Sequence, residues 1–154
     1  MEANQIDNAT LNELAFHNAN IGEPMSDWML RYLVDMANLQ ELQIGLTLLV
    51  DGMLVSGTLI GGQAYFAGIT QTISSAMCDS PEATAVTDLF EKVNRAVHAE
   101  TSPEKPSPPP AYIHMKDTYF FQPGNTGSTP SSQGVLWRGK LSQVSGFFFG
   151  NLTA

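Results

Sequence analysis

The stretch LTLLVDGMLVSGTL, residues 46–59, limits what this chain can fold into more than any other. Asp51-Gly52 supplies the two positive φ angles of a tight hairpin turn, and it stands between two alternating, β-branched apolar runs. Strands over 43–50 and 53–60 follow, with Gly57 marking a bend or bulge in the second.

The flanks of this hairpin read as follows. Residues 1–25 are Asn-rich and weakly patterned, a loose arm with at most one helical turn. Ordered structure begins with SDWMLRYLVDMANLQ: Ser26 or Asp27 can cap a first turn, and Leu30, Leu33, Val34 and Ala37 recur at helical spacing. After the hairpin the period changes, since Phe66, Ile69, Ile73 and Met77 form a helical stripe. Ser80-Pro81 opens another helix with an apolar face of Val86, Leu89, Phe90, Val93 and Val97. On its polar face Asp88–Lys92 and Glu91–Arg95 are i, i+4 pairs. The segment SPEKPSPPP, 102–110, cannot be helix and reads as a stiff polyproline spacer, with PxxP recognition at Pro103–Pro106 as a sharper alternative.

Strand character returns in AYIHMKDTYFF, where alternation puts Tyr112, His114, Lys116 and Thr118 on one face and Ile113, Met115 and Asp117 on the other. The Gly/Ser/Pro/Asn-rich QPGNTGSTPSSQ is a loop. GVLWRGKLSQVSGFFFG, 134–150, divides into strands near 134–138 and 141–149. The fold class is mainly β with helical additions, α+β overall. One domain over 26–154 carries a helical insertion and Pro-rich spacer at 62–110, between strands 2 and 3.

Charge narrows the function classes. The chain totals −8, distributed as −7 over residues 1–51, −3 over 52–111 and +2 over 112–154. General phosphate binding needs clustered Lys and Arg, so an anion site belongs in the C-terminal third. The charged fraction is only 14%, which leaves surface for self-association. One cysteine, Cys78, excludes a disulfide framework or a Cys-rich zinc site, and at the end of an apolar stripe it is expected to be buried. No apolar leader or long apolar run is present, so a soluble cytoplasmic protein without a membrane partner is expected.

Five strands after a short helix is the layout of a small SH3-like barrel, and particular residues narrow it. LTLLVDGMLVSGTL resembles the first motif of Sm-like proteins, with Gly57 in the bent second strand. LWRGKLSQV is similar to the second Sm motif, in which Arg138-Gly139 would close a strand before a tight turn. DGMLVSGTLIGGQAYFAG, YIHMKDTYFF and GVLWRGKLSQVSGFFFG together resemble the gas-vesicle accessory protein U family. That resemblance implies a non-enzymatic protein associated with the assembly or clustering of gas vesicles, requiring no cofactor. Sm-likeness implies a five-stranded barrel whose last two strands pair between neighbours, closing a homo-oligomeric ring of about five to seven copies. Leu136, Trp137, Phe147, Phe148 and Phe149 are then interface residues.

Sm rings hold single-stranded RNA with the Arg-Gly turn and an Asp-x-x-x-Asn loop. This chain has Arg138-Gly139, but Gly61-Gly62-Gln63-Ala64-Tyr65 supplies neither the Asp nor the Asn. Arg138, Gly139, Lys140 and Tyr65 are the candidate nucleic-acid or anion residues, with Tyr65 or Phe66 able to stack a base. The other readings are an ion pair from Arg138 and Lys140 to an acid of the adjacent subunit, and core packing for Phe66. A catalytic set of Ser56, His114 and Asp117 is disfavoured, because residues 114 and 117 of a strand face opposite ways. His98 and Glu100 make a weak metal pair without further ligands, and Gly61-Gly62 lacks a phosphate-loop continuation. No catalytic or metal residue is therefore assigned.

Overall fold

A computed structural model describes residues 26–78, 80–97, 109–125 and 127–153. The arm at 1–25, most of the spacer at 102–110, the PxxP segment and the His98/Glu100 pair lie outside the described residues.

Helix α1 spans Trp28–Gln40. Asp27 caps it, its Oδ1 accepting from the Met29 and Leu30 N–H groups at 2.9 and 3.0 Å. It ends where Glu41 turns left-handed at φ 54° and its N–H reaches the Met36 carbonyl. Strands β1 (Ile44–Val50) and β2 (Met53–Ile60) form the expected hairpin, with Asp51 at φ 50° and Gly52 at φ 79°. Both helices of the insertion form as read, α2 over Gly62–Ala76 and α3 over Pro81–Val97. They are followed by β3 (Tyr112–Phe121), β4 (Ser128–Thr129) and β5 (Val135–Lys140). A 3₁₀ turn at Leu141–Gln143 then leads to β6, Val144–Phe149.

All pairings are antiparallel, in the order β4-β3-β2-β1-β6, with β5 on β3 as well. This is a six-stranded open sheet and not the closed five-stranded barrel expected. The sixth strand comes from the loop, where Ser128 and Thr129 pair with Phe121 and Phe120. The 3₁₀ turn takes the place of the first residues of the strand expected over 141–149, and β6 beyond it pairs with β1, at the other end of the sheet from β5. Leu141, 1% exposed, anchors that corner in the core.

Helix α1 contributes Leu30, Val34 and Ala37 to the core, with Leu33 half-buried beside them. The sheet contributes Leu46, Leu48, Val55 and Leu59 from the hairpin and Ile113 and Met115 from β3. Burying one such side chain stabilises the fold by roughly 1.5–3 kcal/mol.

The alternation read for β3 holds only as far as Lys116. Asp117 is left-handed at φ 50°, and the ladders to β2 and β5 both shift register there. The bulge inserts one residue and reverses the facing of everything after it. Thr118, fully buried, therefore sits on the core face with Ile113 and Met115 and not with Tyr112 and His114. The irregularity expected at Gly57 is this bulge, carried on the partner strand directly opposite.

The insertion is less buried than its periodicity implies. In α3, Val86, Phe90 and Val93 are half-buried and Leu89 is 58% exposed, while Ala83 is the buried residue. Glu91 and Arg95 lie 3.9 Å apart as expected. Cys78 is exposed and not buried, because at φ 43° it lies in the turn after α2 instead of continuing its stripe.

Candidate functional site

Helix α2 begins at a defined place because Asn38, near the end of α1, accepts the Gly62 N–H on its Oδ1 at 2.8 Å. From there α2 runs over the sheet face opposite the core. Gly68 allows this close approach, since a Cβ there would stand 2.8 Å from Leu136 Cδ1 of β5. Under α2 the β3–β5 register sets His114 against Arg138 and Tyr112 against Lys140. Residues two apart on a strand share a face, so all four look the same way.

An aromatic cluster results, with one cation over it. The Arg138 guanidinium carbon lies 3.9 Å from the Tyr112 ring centroid and 5.8 Å from that of Phe66. Tyr65 packs tilted on His114 with centroids 4.7 Å apart, and edge-on to Phe66 at 5.5 Å. Phe66 and His114 are each 7% exposed, whereas Arg138 is exposed and Tyr112 half open to solvent. A guanidinium held on an aromatic face at an exposed site is worth about 0.5–1 kcal/mol. It keeps its N–H edge available to a carboxylate or phosphate. Among the described residues the one ion pair is Glu91–Arg95, so no described acid holds Arg138.

The structure thus places Arg138 and Tyr65 in one cluster. Lys140 lies exposed at the end of β5 on the same face. Gly139 points to the other face, where an added Cβ would collide with the Trp137 indole. Trp137 and Phe147 pack on the core from half-buried positions, and Leu136 packs under α2. Phe148 and Phe149 remain 47% and 50% exposed. One edge of β6 is hydrogen-bonded to β1 of the same chain, and the other is the end of the sheet.

Ser56, His114 and Asp117 are not assembled. Ser56 pairs with Tyr119 and His114 with Ile60, four residues apart along β2, and Asp117 occupies the bulge. The Ser56 Oγ lies 3.0 Å from the Thr47 hydroxyl and accepts the Leu152 N–H at 2.8 Å. Among the described residues no three or more His, Cys, Asp or Glu side chains form a metal group. No described helix is long and apolar enough to cross a membrane.

Sequence reasoning did not connect Tyr112, His114 and Phe66 with Arg138. Alternation had put Tyr112 and His114 on one face; the missing piece was the β3–β5 register, which couples residues 24 apart in the His114–Arg138 pair.

Against known proteins, the family model described as gas vesicle protein GvpU-like matches residues 27–152. Neither the curated proteins nor the solved structures give a match.

Proposed function

We propose, from the premise that this chain belongs to the gas vesicle protein GvpU-like family, that it is a non-enzymatic, cytoplasmic accessory protein of gas vesicles which works as an oligomer. The observation that carries the reading is the pair of sheet edges. Strand β5 pairs with β3 alone and β6 with β1 alone, so each has one row of N–H and C=O groups outside any ladder among the described residues. Strand β6 has no charged residue to blunt its edge, and Phe148 and Phe149 stand half-exposed on it. Such an edge is a template for another strand, and cyclic pairing of β5 with β6 of the next copy satisfies both rows. In this reading the curled sheet over residues 26–154 is one Sm-like domain, left open at the seam that the neighbour fills. The non-enzymatic part is supported by Ser56, His114 and Asp117 standing apart from one another, with Ser56 Oγ held by the Leu152 N–H.

Native mass spectrometry at micromolar concentration tests the reading. A closed assembly of about five to seven copies is expected, and a monomer overturns it. The alternative is an RNA-binding ring, favoured by Arg138, Lys140 and Tyr65 sharing the surface around Tyr112 and His114. Titration with oligo-U at low salt separates the two, because phosphate binding weakens steeply with salt. Submicromolar binding lost in Arg138→Ala would replace the scaffold reading with the RNA one.

A further inference from the structure

Two hydroxyls on the sheet face away from the core are buried, Thr47 fully and Ser56 to 1% exposure. They are cross-strand partners in the β1–β2 hairpin. The segment bonded to them is the end of the described chain. Gly150 follows β6, and its N–H donates to the Gly45 carbonyl at 2.9 Å. At φ 106°, a conformation essentially reserved for glycine, Gly150 turns the chain across the hairpin. The Gly150 carbonyl lies 2.8 Å from Thr47 Oγ1, and the Leu152 N–H donates to Ser56 Oγ at 2.8 Å.

The two hydroxyls and the tail form one connected set: Thr47 Oγ1 shares its proton between the Gly150 carbonyl and, at 3.0 Å, Ser56 Oγ, which also accepts the Leu152 N–H. The hydroxyls read only main-chain atoms of the tail. Asn151 and Thr153 are exposed and Leu152 is half-buried, so little side-chain packing adds to the hold.

Release is therefore local. When the tail leaves, Thr47 and Ser56 still bond each other, and neither becomes an orphaned buried group. Strand β6 depends more on the tail than its ladder suggests. Its other end carries a register shift, Leu49 facing Gly146 and Val50 facing Val144, where the Ser145 hydroxyl donates to the Leu49 carbonyl at 3.0 Å. One edge strand is thus pinned at its start by Ser145 and at its end by the tail.

We propose that Gly150–Leu152 is a releasable strap that holds the end of β6 on β1 and thereby controls whether the β6 edge is presented, in register, to a strand of a second copy of this chain. The second clause rests on the oligomer reading above; the strap itself does not.

Hydrogen exchange on the full-length protein tests it, with Thr47→Val as the isosteric variant that removes the hydroxyl and a Thr47→Val/Ser56→Ala pair as the stronger one. Loss of both hydroxyl bonds to the tail in the double variant predicts exchange about tenfold faster at the amides of residues 147–150, with a smaller rise in Thr47→Val. Amides of Leu59 and Met115 in the central strands should keep the parent rate. Unchanged exchange at 147–150 in both variants overturns the strap, and so does acceleration spread evenly over β2 and β3, which would signal general loosening. Native mass spectrometry of the same samples should show the oligomer depleted in the variants relative to the parent. A monomeric parent would remove the oligomer reading and leave the exchange test of the strap intact.

Discussion

Gly57 lies where the bulge of β3 crosses β2, and its missing side chain is what lets the two strands pass. A Cβ there would stand 2.8 Å from both the Lys116 carbonyl oxygen and Thr118 Oγ1, and 3.0 Å from Thr118 Cα. Two of these three atoms are backbone, which cannot swing aside as the end of a flexible side chain can. Gly57→Ala should therefore cost about 1–3 kcal/mol, as overpacked sites do. The check is a lower urea midpoint at unchanged slope, and a parental midpoint would show that the bulge yields. Arg138 makes a different point at the same scale. Its strand position was legible, and its facing and platform were not, because the β3–β5 register sets its side and Tyr112 and Phe66 come from β3 and α2. Strand character is a local property, whereas the side a residue faces and the ring beneath it depend on which element arrives.

Among the elements, α1 has the clearest internal conflict. Leu30, Val34 and Ala37 seat it on the core, and the same packing draws Asp35 partly out of water. Burial raises the Asp35 carboxyl above its ordinary 3.8, with Arg31 one turn earlier pulling the other way. The folded state then holds the proton more tightly than the unfolded state does. Stability from this group is present below pH 3.8 and lost as pH rises through the higher folded value. Asp35→Asn should consequently raise the unfolding midpoint at pH 7, with the gain shrinking as pH falls toward 3.8. A gain that persists unchanged in acid would point to something other than the charge. The change of period places α2 and the Ser80-Pro81 start places α3, but periodicity overstates how far they are buried. Periodicity shows that a face is apolar and leaves open what covers it, and Leu89 and Met77 stay open to solvent in this chain.

At the level of the whole molecule, the two sheet edges matter most. If copies join through β5 and β6, unfolding is coupled to dissociation, and the melting temperature should rise with protein concentration. A melting temperature independent of concentration across the micromolar range would count against the joint. The family match over residues 27–152 places this molecule in the gas vesicle protein GvpU-like family. The net charge of −8 coexists with Arg138 and Lys140 on one outward face, so charge is segregated between the N-terminal third and the C-terminal strands.

What the amino-acid order determined by itself was everything that depends on neighbours within a few residues. The Asp51-Gly52 turn, a helix cap at Ser26 or Asp27 and the Ser80-Pro81 helix start follow from backbone preferences and short periods. Tertiary structure alone decided the bulge at Asp117, the corner at Leu141, the aromatic seat of Arg138 and the tail laid over Thr47 and Ser56. Each of these exists because segments far apart in sequence compete for the same space and the same hydrogen-bonding groups. That competition is settled only when the strands and helices pack on one core, and no short window of residues contains both sides of it.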